Sequence, residues 1–177
     1  MTPMARPLLL LGLLFTGIAV DGAWLSRVPW GLAPDLVVLV LISAAVRGGL
    51  PTGALLGATA GYLRDLASGT PLGVYTFAYL VAGIAAGSMM TMLDFDQRLV
   101  PAATAAVATL LLSLLTGVVV VVTGLATVDW LELLWSGAIA AAINAVLARP
   151  VDALVRGAER AARRRHPAKP IAYRVFR

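Results

Sequence analysis

Cysteine is absent from the 177 residues, so the chain has no disulfide framework, thiolate metal centre or cysteine nucleophile. Histidine occurs once, as His166 in a basic C-terminal stretch, where it is read as solvated and not as a catalytic base. Charge is scarce as well. Charged residues make up 13% of the chain, about half the usual share of a soluble domain, against 60% hydrophobic residues and a mean hydropathy of +0.89. The loops between the apolar runs are too short to enclose a second core, which predicts one membrane domain and no soluble catalytic one. No P-loop, HExxH or GxSxG motif occurs, nor an aromatic and basic surface of the kind that grips single-stranded nucleic acid. Catalysis needs a nucleophile or base beside an orienting group, or a metal with several ligands. No catalytic residue, cofactor or bound metal is therefore expected.

What is present is a succession of apolar segments. The first, residues 8–20, reads as a span and not as a cleaved signal, because Val20, Asp21, Gly22 and Ala23 interrupt any small-x-small site and further apolar segments follow. Trp24 and Trp30 suit the interface beyond it. The second segment starts near Trp30 and runs to Val46. Pro34 costs no hydrogen bond at a helix start, and Asp35 beside it favours the positive end of the helix dipole. Arg47, Gly48 and Gly49 make the next turn. A third segment covers residues 50–66, and a fourth covers 72–93, with Tyr75, Phe77 and Tyr79 near its beginning. A polar loop carries Asp94, Asp96 and Arg98, and the fifth segment, 101–125, is long enough to tilt. Asp129 and Glu132 flank Trp130. The last segment ends near Leu147, offering Ala138, Ala141, Ala142 and Ala145 for packing and Asn144 for a hydrogen bond between helices.

The expected fold is thus an all-α integral membrane protein of six transmembrane helices over residues 1–149, followed by a basic tail over 150–177. Arg6, Arg47, Arg98 and the nine basic residues from Arg149 onward fall on one side, against Arg27 and Arg64 on the other. That asymmetry predicts cytoplasmic termini on a multi-pass inner-membrane protein. The basic balance, with a pI of about 10.4, is accordingly read as topology and not as nucleic-acid binding. After Pro150, Val151, Leu154, Val155, Ala158 and Ala162 share one helical face. Asp152 with Arg156, and Glu159 with Arg163, form i,i+4 pairs. A helix lying on an anionic inner leaflet is expected, with Arg156, Arg160, Arg163, Arg164 and Arg165 facing lipid headgroups. The final twelve residues, with two prolines and no periodicity, are expected to be disordered until a partner orders them.

Residues 53–87 organise the whole. Gly53, Gly57 and Gly61 recur every four residues and form one smooth helical face, and Gly83 and Gly87 repeat the device. Such a face packs on a neighbouring helix of the same chain or of a partner, and spacing does not distinguish the two. Between the glycine pairs stand Arg64 and Asp65. Adjacent on a helix, their side chains diverge by about 100 degrees, so each needs another partner. Asp65 either bonds the amides of the following SGTPLG turn at the membrane surface or serves as a buried organiser or partner contact. Asp21, Asp35, Asp65, Asp129 and Glu132 all fall on the outer side; converged, they would bind a cation or relay a proton.

From Pro34-Asp35-Leu36, through Gly53, Gly57 and Gly61, to DLASGTPLG with Asp65, Gly69, Pro71 and Gly73, the chain resembles the bacterial rod-shape-determining protein MreD family. The resemblance implies a non-enzymatic scaffold in the inner-membrane cell-elongation machinery that makes peptidoglycan. Its expected partners are the single-span protein MreC, RodA with its class B penicillin-binding protein, and MreB filaments; a homodimer is compatible with it. It also implies a six-helix fold similar to the substrate-binding subunits of energy-coupling-factor vitamin transporters. The alternative function is such a subunit, although the outer loops here are short and poor in convergent polar and aromatic groups.

Overall fold

The computed structural model describes residues 5–24, 34–92 and 100–165, with side chains over 8–23, 34–89 and 100–161. Every regular element among them is helical: α1 (Ala5–Trp24), α2 (Leu36–Ser68), α3 (Val74–Met92), α4 (Val100–Val122) and α5 (Trp130–Arg165). The helices α2, α4 and α5 are long and apolar enough to cross a membrane, and α1 and α3 carry shorter apolar stretches. Arg27, Trp30, Asp94, Asp96, Arg98 and His166, the side chains of Trp24 and Arg163 to Arg165, and the last twelve residues lie outside what is described.

The 33 residues of α2 are not one rod. Gly49 has φ 73° and ψ −173°, a conformation that favours glycine, and Pro51 follows it. A Cβ on Gly53 would lie 3.2 Å from the Cβ of Ala45. Eight residues of straight helix would separate these positions by about 12 Å. The chain therefore doubles back at Gly49 into two arms, 36–48 and 50–68, matching the turn expected at Arg47, Gly48 and Gly49.

The first arm is the centre of the core. Val37 through Ala45 are all buried, and they meet Leu10, Leu14 and Ile18 of α1 and Ala105, Ala108 and Leu112 of α4. The arm runs parallel to α5 and in step with it, since Asp35 meets Asn144 and Ser43 meets Asp152. The second arm runs antiparallel to α3.

One expectation about the last helix needs correction, the face it turns inward. The helix α5 continues through Pro150 to Arg165. Its buried stripe is Ala141, Asn144, Ala148, Asp152, Val155 and Glu159, while Leu154 is 73% exposed. The acids face inward because Arg47 waits there. Ala138 and Ala142, expected to pack, are exposed, and Ala145 is half-buried.

Candidate functional site

The glycine row meets the chain's own third helix. A Cβ on Gly57 would stand 3.0 Å from the carbonyl carbon of Tyr79 and 3.1 Å from the Cα of Leu80; one on Gly61 would stand 2.5 Å from the Cα of Thr76. Gly53 faces Gly83, and Gly87 faces Gly49 and Leu50. All of these neighbours are backbone, which cannot rotate aside. Glycine is needed so that the second arm of α2 and α3 can touch main chain to main chain. The row is therefore filled within the chain.

That contact sets the geometry of the turn at its end. The second arm stops at Gly69, whose φ of 67° makes it a left-handed cap, and α3 begins after Gly73, with φ 114°. Asp65, only 1% exposed, reaches across this turn. Its Oδ2 accepts from the Gly73 N–H at 2.8 Å, the Thr76 N–H at 3.1 Å and the Thr76 hydroxyl at 2.7 Å. Its Oδ1 accepts from the Tyr75 N–H at 2.8 Å and the Thr70 hydroxyl at 3.2 Å. One carboxylate thus binds three amides at the start of α3, where helix N–H groups have no partner of their own and the dipole favours negative charge. Pro71 completes the turn by accepting from the Val74 N–H. Asp65 does bond the turn's amides, and it does so from a buried position.

Arg64 points elsewhere. Its Nη1 donates to Asp21 Oδ2 at 3.0 Å, and its guanidinium lies 5.9 Å from the Tyr75 ring centroid, within reach of a cation–π attraction. Asp35 follows Pro34 and caps α2, accepting from the Val38 N–H at 3.0 Å. Its other oxygen accepts from the Tyr79 hydroxyl at 2.7 Å. The Asp35 N–H donates to Asn144 Oδ1 at 3.1 Å, and Asn144 Nδ2 donates to Thr109 Oγ1 at 3.0 Å. Four helices are tied by this chain of bonds. Asp21 and Asp35 therefore converge on Arg64, whereas Asp129 is exposed and caps α5 through the Leu131 N–H, and Glu132 is exposed one turn on.

A second polar cluster, at the Gly49 end, was not foreseen. Arg47 bonds Asp152, and its Nε lies 3.3 Å from Glu159; Ser43 donates to Asp152 at 2.7 Å, and Arg156 pairs with Asp152 at 2.6 Å. The Asp152 to Arg156 pair was expected and is present; Glu159 meets Arg47, and its expected partner Arg163 has its side chain outside what is described. Arg156 and Arg160 remain exposed. The missed signal was the seven-residue spacing of Asp152 and Glu159, in step with Ala141, Asn144, Ala148 and Val155. Among the described residues, no group of three or more histidine, cysteine or acidic side chains is placed to hold a metal ion.

Apolar helices, backbone contacts through glycine and polar groups bonded inside the bundle define an α-helical membrane protein. The family model for the rod shape-determining protein MreD matches residues 4–157, most of the chain, and the chain belongs to that family. No curated protein and no solved structure matches it.

Proposed function

We propose that the protein is a non-enzymatic scaffold subunit of the cell-elongation machinery, holding an MreC-type single-span protein in the inner membrane beside RodA, its class B penicillin-binding protein and MreB filaments. The observation that carries this reading is membership of a shape-determining family over residues 4–157. The site chemistry supports it: Asp65, Asp35, Asn144 and Arg47 hold helices together, and each polar side chain is committed to a neighbouring element. In this reading six segments, the two arms of α2 counted separately, cross the bilayer with both termini cytoplasmic. The glycine row builds the scaffold itself, so partners meet other faces. Arg156, Arg160 and Arg163 to Arg165 add attraction to anionic lipid, about 1 kcal/mol each and weakened by salt. Equal binding of the tail to neutral and anionic vesicles would refute that part.

Purification of the tagged chain from native membranes, followed by identification of what accompanies it, tests the proposal. An MreC-type protein should be enriched. Its absence, with saturable binding of a vitamin to the purified chain, would replace the scaffold with a vitamin-transporter subunit.

A further inference from the structure

At the Asp65 end of the bundle, α1, both arms of α2 and α3 enclose two carboxylates and one guanidinium. Asp21 is 5% exposed. Its Oδ2 is taken by Arg64, but among the described residues its Oδ1 is buried without a hydrogen-bond partner. The Leu36 amide lies against this carboxyl as well. Asp35 has both oxygens engaged, by Val38 and Tyr79, and shares the field of the same Arg64. Among the described residues, the Tyr79 phenol also faces Asp21, the Tyr75 ring lies by Arg64, and α4 and α5 bring Thr109 and Asn144 to the network. Asp65 is turned away onto the amides of α3. Two negative charges therefore share one half-buried positive charge, and one buried oxygen lacks a donor. The charge deficit has the size of one proton, and a neutral carboxyl oxygen loses less than a charged one by going without a donor. A coordinated metal ion would need several free oxygens, and among the described residues Asp21 Oδ1 is the one buried side-chain oxygen without a partner.

We propose that this cluster is a proton-binding site, in which Asp21 takes up one exchangeable proton that balances the second carboxylate. No bond other than O–H forms or breaks, and the proton comes from water. The site does not depend on which partner the scaffold holds. Asp35 feels its occupancy directly, and through Tyr79 and Asn144 so do α3 and α5.

Difference infrared spectroscopy on the full chain in lipid nanodiscs tests it, because a protonated carboxyl has a carbonyl stretch that carboxylates lack. At neutral pH the wild type should show one such band, shifted in heavy water. The band should vanish in Asp21→Asn and persist in Asp129→Asn, whose residue is exposed. Should Asp21→Asn fail to fold, Asp35→Asn serves: with one carboxylate left for Arg64, the neutral-pH band should again be lost. A wild type without the band, or a band unchanged in Asp21→Asn or Asp35→Asn, would overturn the proposal. So would a melting temperature raised by sodium over choline in the wild type but not in Asp21→Asn, which would place a metal ion there instead.

Discussion

Replacing Asp65 with leucine keeps the branching at Cγ, adds the bulk of two methyl groups and removes all five acceptor contacts of the carboxylate. The Thr70 and Thr76 hydroxyls can turn to other acceptors, but the N–H groups of Gly73, Tyr75 and Thr76 are fixed by the backbone. An unsatisfied buried group costs about 1–3 kcal/mol, so the three amides together set a range of about 3–9 kcal/mol. Gly69, Pro71 and Leu72 are exposed, so water reaches the turn and the lower end, about 3 kcal/mol, is expected. Asp65→Asn keeps one oxygen and should lose about half as much. Reversible unfolding in mixed micelles, read by circular dichroism, measures both. A loss below about 0.5 kcal/mol for Asp65→Leu would refute the argument that this carboxylate organises the turn, since that is the scatter of surface substitutions.

The glycine contacts make a paired prediction. Gly57→Ile should cost at least about 1–3 kcal/mol, because the Tyr79 and Leu80 backbone must move. Gly12→Ala in α1, with nothing within 4 Å of its Cβ, should be neutral or stabilising by up to about 1 kcal/mol. Equal effects at the two sites on thermal unfolding would mean that the row is not a packing face. Arg47→Ala removes the guanidinium that Asp152 and Glu159 share while Asp152 keeps Arg156, and it should cost about 3 kcal/mol, the low end for a broken buried pair, recovered in part by adding Asp152→Asn and Glu159→Gln in a mutant cycle. Reporter fusions after Arg177 and after Arg98 should both read cytoplasmic and one near Trp130 should read external; an external C-terminus would defeat the six-span arrangement.

The apolar segments, the Gly49 turn and the glycine face were legible because each rests on local spacing. The partner of that face was not, since Gly57 would meet any backbone equally well and only the fold shows that it meets Tyr79. Asp65 was half legible: the amides it binds follow within eleven residues, but its burial depends on α3 folding back. The pairing of Arg64 with Asp21 spans 43 residues and has no sequence signal. In the tail, apolar periodicity misled. Val151, Leu154 and Val155 suggested a lipid-facing helix, while Asp152 and Glu159 are the residues turned inward, toward an arginine more than a hundred residues earlier in the chain. A carboxylate on a helix is read as solvent-facing until its cation is located.

The scaffold account is tested most directly in a rod-shaped host that carries the chain, by depleting it and following cell outline by microscopy, with a wild-type copy restored as control. The account predicts that depleted cells round up and that the restored copy returns the rod. Cells that keep their rod shape through depletion would contradict it.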